Sequence, residues 1–289
     1  MKLQTASGAM AADRSTWCVT EEQQAAIAAA SRLVGATLEM LASYIQPGVE
    51  TKRLDRLAEE FIRDHGGEPA FKGYGGNAHT PPFPSTLCIS IDSEVVHGIP
   101  SQRCLEEGQI VSIDCGVRYD GCYGDGAWSF AVGQVSQEKQ QLLAVTCEAL
   151  YRGIEQARAG NTTYDIARAI QQYVEANGFT CVRELVGHGV GTALHLDPAV
   201  PNFVPGLLHR NRYPRTVLVE GMTLAIEPMV NAGSFTVYTA RDGWTVCTTD
   251  GKPSAHFEHT VRVGRNGAEI LTVHSLRKPT YAQTGTDQS

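Results

Sequence analysis

The chain reads as a two-halved α/β or α+β body of 289 residues, with its site expected between the halves. Two internal correspondences and the composition point there. The helical stretch TKRLDRLAEEFIRDHG returns as TYDIARAIQQYVEANG. Thr51, Leu54, Phe61, Ile62 and Gly66 thereby match Thr163, Ile166, Tyr173, Val174 and Gly178 at an offset of 112. LEEGQIVSID (Leu105–Asp114) returns as LVEGMTLAIE (Leu218–Glu227) at an offset of 113. Two nearly equal offsets indicate an internal duplication, which sets Asp114 and Glu227 at equivalent ends of equivalent strands. Hydrophobic residues at 42% and charged residues at 19% are those of a globular protein able to bury a large core.

Taken in chain order, residues 1–20 and 277–289 are small and polar and are expected as flexible tails. Between them lies one domain, 21–276, with halves of about 21–135 and 136–276. An alanine-rich amphipathic helix is expected from Glu21 to about Ile45. Thr51 is expected to cap a second helix that Gly66 and Gly67 close. The same pair follows as a helix from Gln137 to about Ala157 and another that Gly178 stops.

The net charge of −7 is spread along the chain, which argues against a nucleic-acid partner. Eight cysteines at irregular spacings, with no CxxC pair, read as reduced and mostly buried thiols. The N-terminus lacks the apolar run of a secretory signal, and nowhere do eighteen apolar residues follow one another, so no membrane role and a cytoplasmic location are expected.

GQIVSIDCGVRYDGCYGDGAWSFAVG alternates like two strands, and Asp120-Gly121 suits a tight type I′ turn between them. Tyr119 then pairs with Cys122 and Gly116 with Asp125. Asp114, two residues from Gly116, becomes the diagonal neighbour of Asp125 on one face, with Cβ atoms roughly 7–8 Å apart. Taken alone, such a motif is more often a solvent-facing acidic hairpin. An aspartate between Ile113 and Cys115 is better placed inside, however, and a buried charge must be paired or metal-bound.

ELVGHGVGTALHLDP carries His188 and His195 seven apart, which is not the spacing of a helical metal pair. Glycines around His188 allow backbone to approach a site, and His195 sits where a loop should begin. Glu227 ends an apolar strand before Pro228. Glu258 lies between Phe257 and His259 at the start of an alternating strand, and His97 follows an apolar strand and precedes Gly98. Each has a bland reading as a cap or surface group. Four half-buried acids with few basic neighbours do not. Converging, they would repel strongly unless cations offset them, and two divalent ions supply +4 against −4. Carboxylates with one imidazole suit Mn, Fe, Co or Zn, and a two-metal hydrolase is the reading that follows.

With these motifs in view the chain resembles the type I methionine aminopeptidases, dinuclear metallopeptidases of the pita-bread α+β fold. The resemblance runs from about residue 21 to 275 through PAFKGY, FPSTLCIS, EVVHGIP, IVSID with YGD, GHGVGTALH, AIEPMV, DGWTV and FEHT. It implies two divalent ions per chain (Co, Mn, Fe or Zn), with Asp125 and Glu258 bridging them. Asp114 would complete one ion, and His188 with Glu227 the other. It implies removal of the initiator methionine of nascent polypeptides by a metal-bound hydroxide. Glu227 would relay the proton, His195 would steady the oxyanion, and His97 would contact the scissile amide or leaving nitrogen. Tyr74, Phe83, Cys88, Leu194 and Trp244 match positions of the methionine pocket. The resemblance also implies a monomer, and the tails leave the ribosome as a further candidate partner.

The sequence departs from that pattern at four places. NAHTPP is inserted between Gly76 and Phe83, so that His79 could reach the site or lie on the surface. Gly116 stands where threonine is usual and where proline-specific relatives have glycine. Gly126 and Ala127 replace hydroxyl residues, and His256 stands where glutamine is usual. The rival readings are an Xaa-Pro peptidase of the same fold, which Gly116 favours, and a non-catalytic binding protein that has lost its metals.

Overall fold

A computed structural model describes residues 19–78, 80–206 and 210–281. The tail segments 1–18 and 282–289, and His79, lie outside the described residues. Four helices are described: α1 (Glu21–Ala42), α2 (Thr51–Asp64), α3 (Gln137–Glu155) and α4 (Thr163–Ala176). The strands before α3 are β1 (Glu68–Pro69), β2 (Leu87–Ile91), β3 (Glu94–Val96), β4 (Ile110–Tyr119) and β5 (Cys122–Ala131). After α4 come β6 (Thr180–Cys181), β7 (Gly187–Gly189), β8 (Leu196–Val200), β9 (Thr223–Ile226) and β10 (Met229–Asn231). The last are β11 (Val237–Thr239), β12 (Val246–Thr248), β13 (Ser254–His256), β14 (Glu258–Val263) and β15 (Ala268–Ile270).

Helix α1 begins where Thr20 accepts the Gln23 N–H and the Gln23 side chain accepts the Thr20 N–H, at 3.2 and 2.9 Å. This reciprocal cap draws Thr20 out of the expected tail and into the body. The helix is long and apolar enough to cross a membrane by length and composition, yet 56% of its apolar window is buried in the body. Ile27, Val34, Leu38 and Leu41 face inward against the sheet. Residues 277–281, also expected as tail, lie on the body. Lys278 Nζ sits 3.2 Å over the Tyr151 ring, and the Tyr281 hydroxyl donates to Asn177 at 3.4 Å.

Helix α2 starts differently from its expectation. Its N-cap is Glu50, which makes no side-chain cap, and Thr51 is the first helical residue. The Thr51 hydroxyl is engaged across the fold instead, donating to the Ser101 carbonyl at 3.0 Å and accepting the Ser101 N–H at 2.9 Å. A tertiary backbone partner outcompetes the local one. In α4 the equivalent position, Thr163, is again the first helical residue. There Thr162 is the cap, its N–H bonded to the Asp165 carboxylate at 2.8 Å.

The duplication is visible in the backbone. Helices α2 and α4 both run 14 residues. The isolated bridges Glu50–Cys104 and Thr162–Val217 stand at the same two offsets, and the Thr51 and Thr163 N–H groups bond Arg103 and Thr216 carbonyls, each at 3.0 Å. β4 starts at Ile110 and β9 at Thr223, so Asp114 and Glu227 hold the same place in their repeats. They are not at equivalent strand ends. β4 runs on past Asp114 to Tyr119, whereas pairing in β9 stops at Ile226, just before Glu227 and Pro228.

Among the described residues the main sheet has nine strands in the order β1-β4-β5-β14-β9-β7-β8, with β2 added on β4 and β15 on β14. Two three-stranded sheets, β13-β10-β6 and β11-β12-β3, flank it. Strands from both repeats meet at β5 and β14, in the middle of the large sheet. One apolar core spans both repeats, with Trp128 and Phe257 as its largest fully buried side chains.

Candidate metal centre

The register of the central strands lines up five side chains. Gly116 pairs with Asp125, so Asp114 is the diagonal neighbour of Asp125. The turn that sets this register has both Asp120 (φ 50) and Gly121 (φ 80) in the left-handed region that a type I′ turn needs. Ala127, two residues beyond Asp125, pairs with Glu258. On the other side of β14, His259 pairs with Ile226, which puts Glu227 next to Glu258. Ala225, two residues before Glu227, pairs with His188. With a side-chain period of two, Asp114, Asp125, Glu258 and His188 on four strands, with Glu227 just past the end of β9 between them, form one track.

Their atoms converge. Asp125, His188 and Glu258 each offer a ligand atom within 4.8 Å of the other two. His188 Nε2 lies 3.5 Å from Glu227 Oε1 and 3.8 Å from Asp125 Oδ2. Its Nδ1 is 2.8 Å from the Gly189 carbonyl and donates to it, which leaves the Nε2 lone pair free for an ion. Main-chain bonds hold Asp125 in place. Its N–H donates to the Thr260 hydroxyl at 3.0 Å, and that hydroxyl donates back to the Asp125 carbonyl at 2.7 Å. Asn202 donates to the Glu227 carbonyl at 2.9 Å.

The seven-residue spacing of His188 and His195 is resolved by pairing. β7 and β8 run antiparallel with Gly189 opposite Leu196, and the two imidazole centroids come within 4.2 Å. His195 therefore ends the loop and leads into a strand, in contrast to the loop start that the sequence suggests there. Tyr74 shares a 2.8 Å hydrogen bond with its Nδ1. His97 follows β3 at a positive φ of 60°, a conformation that swings the chain sharply after the strand.

The electrostatics call for a cation. Burial pushes the Asp114 carboxyl up to about 7. Asp125, Glu227 and Glu258 are raised well above the ordinary carboxylate range by burial first and by the neighbouring acids next. Burial holds His188 down to about 3 and His97 to about 4, and it lowers His195 as well. Neutral imidazoles cannot offset the acids, and no lysine or arginine is paired with them among the described residues. Asp114 Oδ1 and Glu258 Oε1 are buried without a hydrogen-bond partner. Unpartnered oxygens, crowded carboxylates and a presented imidazole nitrogen fit divalent ions bound by hard and borderline donors.

An apolar pocket opens onto this wall. Phe71, Phe83, Cys88 and Leu194 form a buried cluster, with Trp244, Ile99 and Tyr123 packed against it. The Phe83 and Trp244 rings meet edge to face at 5.3 Å. A cavity of about 190 Å³ is bounded by Tyr74, Phe83, Cys88, His97, His195 and Trp244, together with the four acids and His188. All the expected pocket residues therefore gather around it, Leu194 through the apolar cluster. Asn77, Thr80 and Pro81 of the inserted segment lie at its edge. Trp244 Nε1 donates to the Pro81 carbonyl at 2.9 Å, and Asn77 closes a turn by accepting the Thr80 N–H at 3.0 Å.

Two further residues belong to the site: Phe71, which the sequence gives only within the PAFKGY motif, and His256, which it gives only as a departure from the usual glutamine. Phe71 lines the cavity, and its ring explains Gly116, because a Cβ there would meet Phe71 Cε1 at 2.5 Å. The glycine that favours a proline-specific rival is thus a packing requirement. His256 is buried against the acids. Its position two residues before Glu258 is the signal that points to it.

Residues 25–265 match the model of metallopeptidase family M24. The methionine aminopeptidase of Clostridium perfringens is 51% identical over 245 residues, covering 84% of this chain and 93% of its own. Methionine aminopeptidase 1 of Bacillus subtilis is 48% identical over 255 residues, covering 88% and 98%. The crystal structure of the Thermotoga maritima methionine aminopeptidase superposes with a TM-score of 0.82 at 40% identity, covering 88% of this chain and 98% of that one. The prolidase of Pyrococcus furiosus, at 23% identity and a TM-score of 0.72, shares the fold alone. The chain belongs to the M24 metallopeptidases and, within them, to the methionine aminopeptidases.

Proposed function

We propose that this chain removes the N-terminal methionine of nascent polypeptides with two divalent ions. Asp114, Asp125, His188, Glu227 and Glu258 would hold the ions. The observation that carries this reading is the track of four acids, two buried and two half-buried, and His188 at the wall of an apolar pocket of about 190 Å³. When bound, the ions would polarise the scissile carbonyl and make water a nucleophile at neutral pH.

The chain's own residues do the rest. Phe71, Phe83, Cys88, Leu194 and Trp244 take the thioether side chain, which is unbranched and suits an aromatic-lined slot. The adjoining acids receive the substrate's free amine, which restricts cleavage to the chain end. Glu227, beside Glu258 on the track, takes a proton from the attacking water and passes it to the leaving nitrogen. His195, steadied by Tyr74, faces the developing oxyanion, and His97 contacts the scissile amide.

Peptidase profiling with defined ions tests this reading. Cleavage of Met-Ala-Ser should exceed that of Ala-Pro peptides, and the reverse preference would overturn the specificity. Purified protein that holds no divalent ion and gains no activity from Mn, Fe or Co would instead indicate a binding protein.

A further inference from the structure

The wall of acids contains a second imidazole, His256, which none of the five ligand positions accounts for. It is 1% exposed, and neither ring nitrogen has a hydrogen-bond partner. Nε2 lies 3.9 Å from Glu227 Oε2 and 4.0 Å from Glu258 Oε2. Glu227 is thereby flanked on both oxygens, by His188 on Oε1 and His256 on Oε2. The His256 backbone cannot drift. Its N–H donates to the Ser129 hydroxyl at 3.0 Å, and that hydroxyl donates to the His256 carbonyl at 2.7 Å. β13 also pairs His256 with Met229, just after Glu227 and Pro228.

We infer that His256 is a positioning residue, whose Nε2–H orients the Glu227 and Glu258 carboxylates toward the ions. The inference rests on the two-ion reading above. A buried imidazole with no partner is costly, and these two oxygens are the acceptors its Nε2 faces. The gaps exceed a hydrogen bond by about 1 Å, a distance that a small rotation of either glutamate closes. The five proposed ligands all line the cavity and His256 does not, so it is assigned to orienting ligands and not to ligation. An N–H behind these carboxylates would limit their rotation, which is how groups behind the ligands usually tune affinity.

The test uses the full-length protein and measures divalent-ion affinity by calorimetry, together with the visible spectrum of the Co(II)-loaded form. His256→Ala should weaken ion binding by about 10–100-fold and alter the Co(II) spectrum. His256→Gln, which keeps an N–H donor, should restore most of the affinity and a wild-type spectrum. Wild-type affinity in folded His256→Ala would overturn the inference. So would a His256→Gln variant as impaired as His256→Ala, because the ring nitrogen would then be acting as a ligand. Failure of the wild-type protein to bind any divalent ion would instead overturn the underlying two-ion reading. Thermal unfolding of both variants separates loss of fold from loss of affinity.

Discussion

The Tyr74 hydroxyl and His195 Nδ1 lie 2.8 Å apart, with the two ring centroids 5.2 Å apart. This bond crosses from the loop after β1 to the loop before β8 and fixes an imidazole at the cavity edge. Tyr74→Phe removes the bond and keeps the ring. Turnover of a Met-Ala-Ser peptide should fall about 3–10-fold, the worth of one hydrogen bond, with little change in unfolding temperature. Unchanged turnover would remove His195 orientation from the mechanism.

Glu227→Ala should lower turnover by about a hundredfold or more. The fold should survive, because the substitution relieves repulsion among four crowded acids. The ion-free variant should therefore unfold at a temperature no lower than that of ion-free wild type. Circular dichroism melts and peptide assays check both parts, and wild-type turnover would contradict the role assigned to Glu227.

Ion binding should release protons at neutral pH. Burial raises Asp114 to about 7 and holds the other three acids above their ordinary range, so the ion-free folded site retains protons that ions must displace. A raised pKa means that affinity increases as pH rises toward and through 7. Calorimetry in two buffers of different ionisation heat counts the protons directly. No release at pH 6.5 would show that the acids are already ionised.

Gly116→Ala should push the Phe71 ring toward the cavity, given the 2.5 Å approach of a Cβ to Cε1. We expect a stability loss of about 1–3 kcal/mol and a several-fold rise in KM for methionyl peptides. The double variant Gly116→Ala with Phe71→Leu should recover much of both. Recovery of stability without recovery of KM would mean that Phe71 packs the fold but does not shape the pocket.

The β4–β5 hairpin is legible in the residues themselves, because a two-residue Asp-Gly turn leaves one register and the register dictates the diagonal contact of Asp114 with Asp125. The helix pairs and their repeat are legible for a similar reason, since apolar spacing and stop signals are local. Boundaries are less so. The Thr51 cap gives way to a backbone partner 50 residues away, and Thr20 and Lys278 join the body through contacts that no tail composition reveals.

Sequence alone determined the chemistry available to this protein: four acids set in apolar strands, imidazoles among glycines, and a duplicated frame to carry them. Those features are written in residue type and short-range spacing, which burial and backbone geometry translate directly. Only the tertiary structure decided that His188 and His195 touch, that Gly116 is glycine to seat Phe71, and that His256 faces Glu227 and Glu258. Gly116 with Phe71 and His256 with Glu227 are far apart in the chain, and even the near pair His188 and His195 meets only through strand pairing, which no single segment dictates.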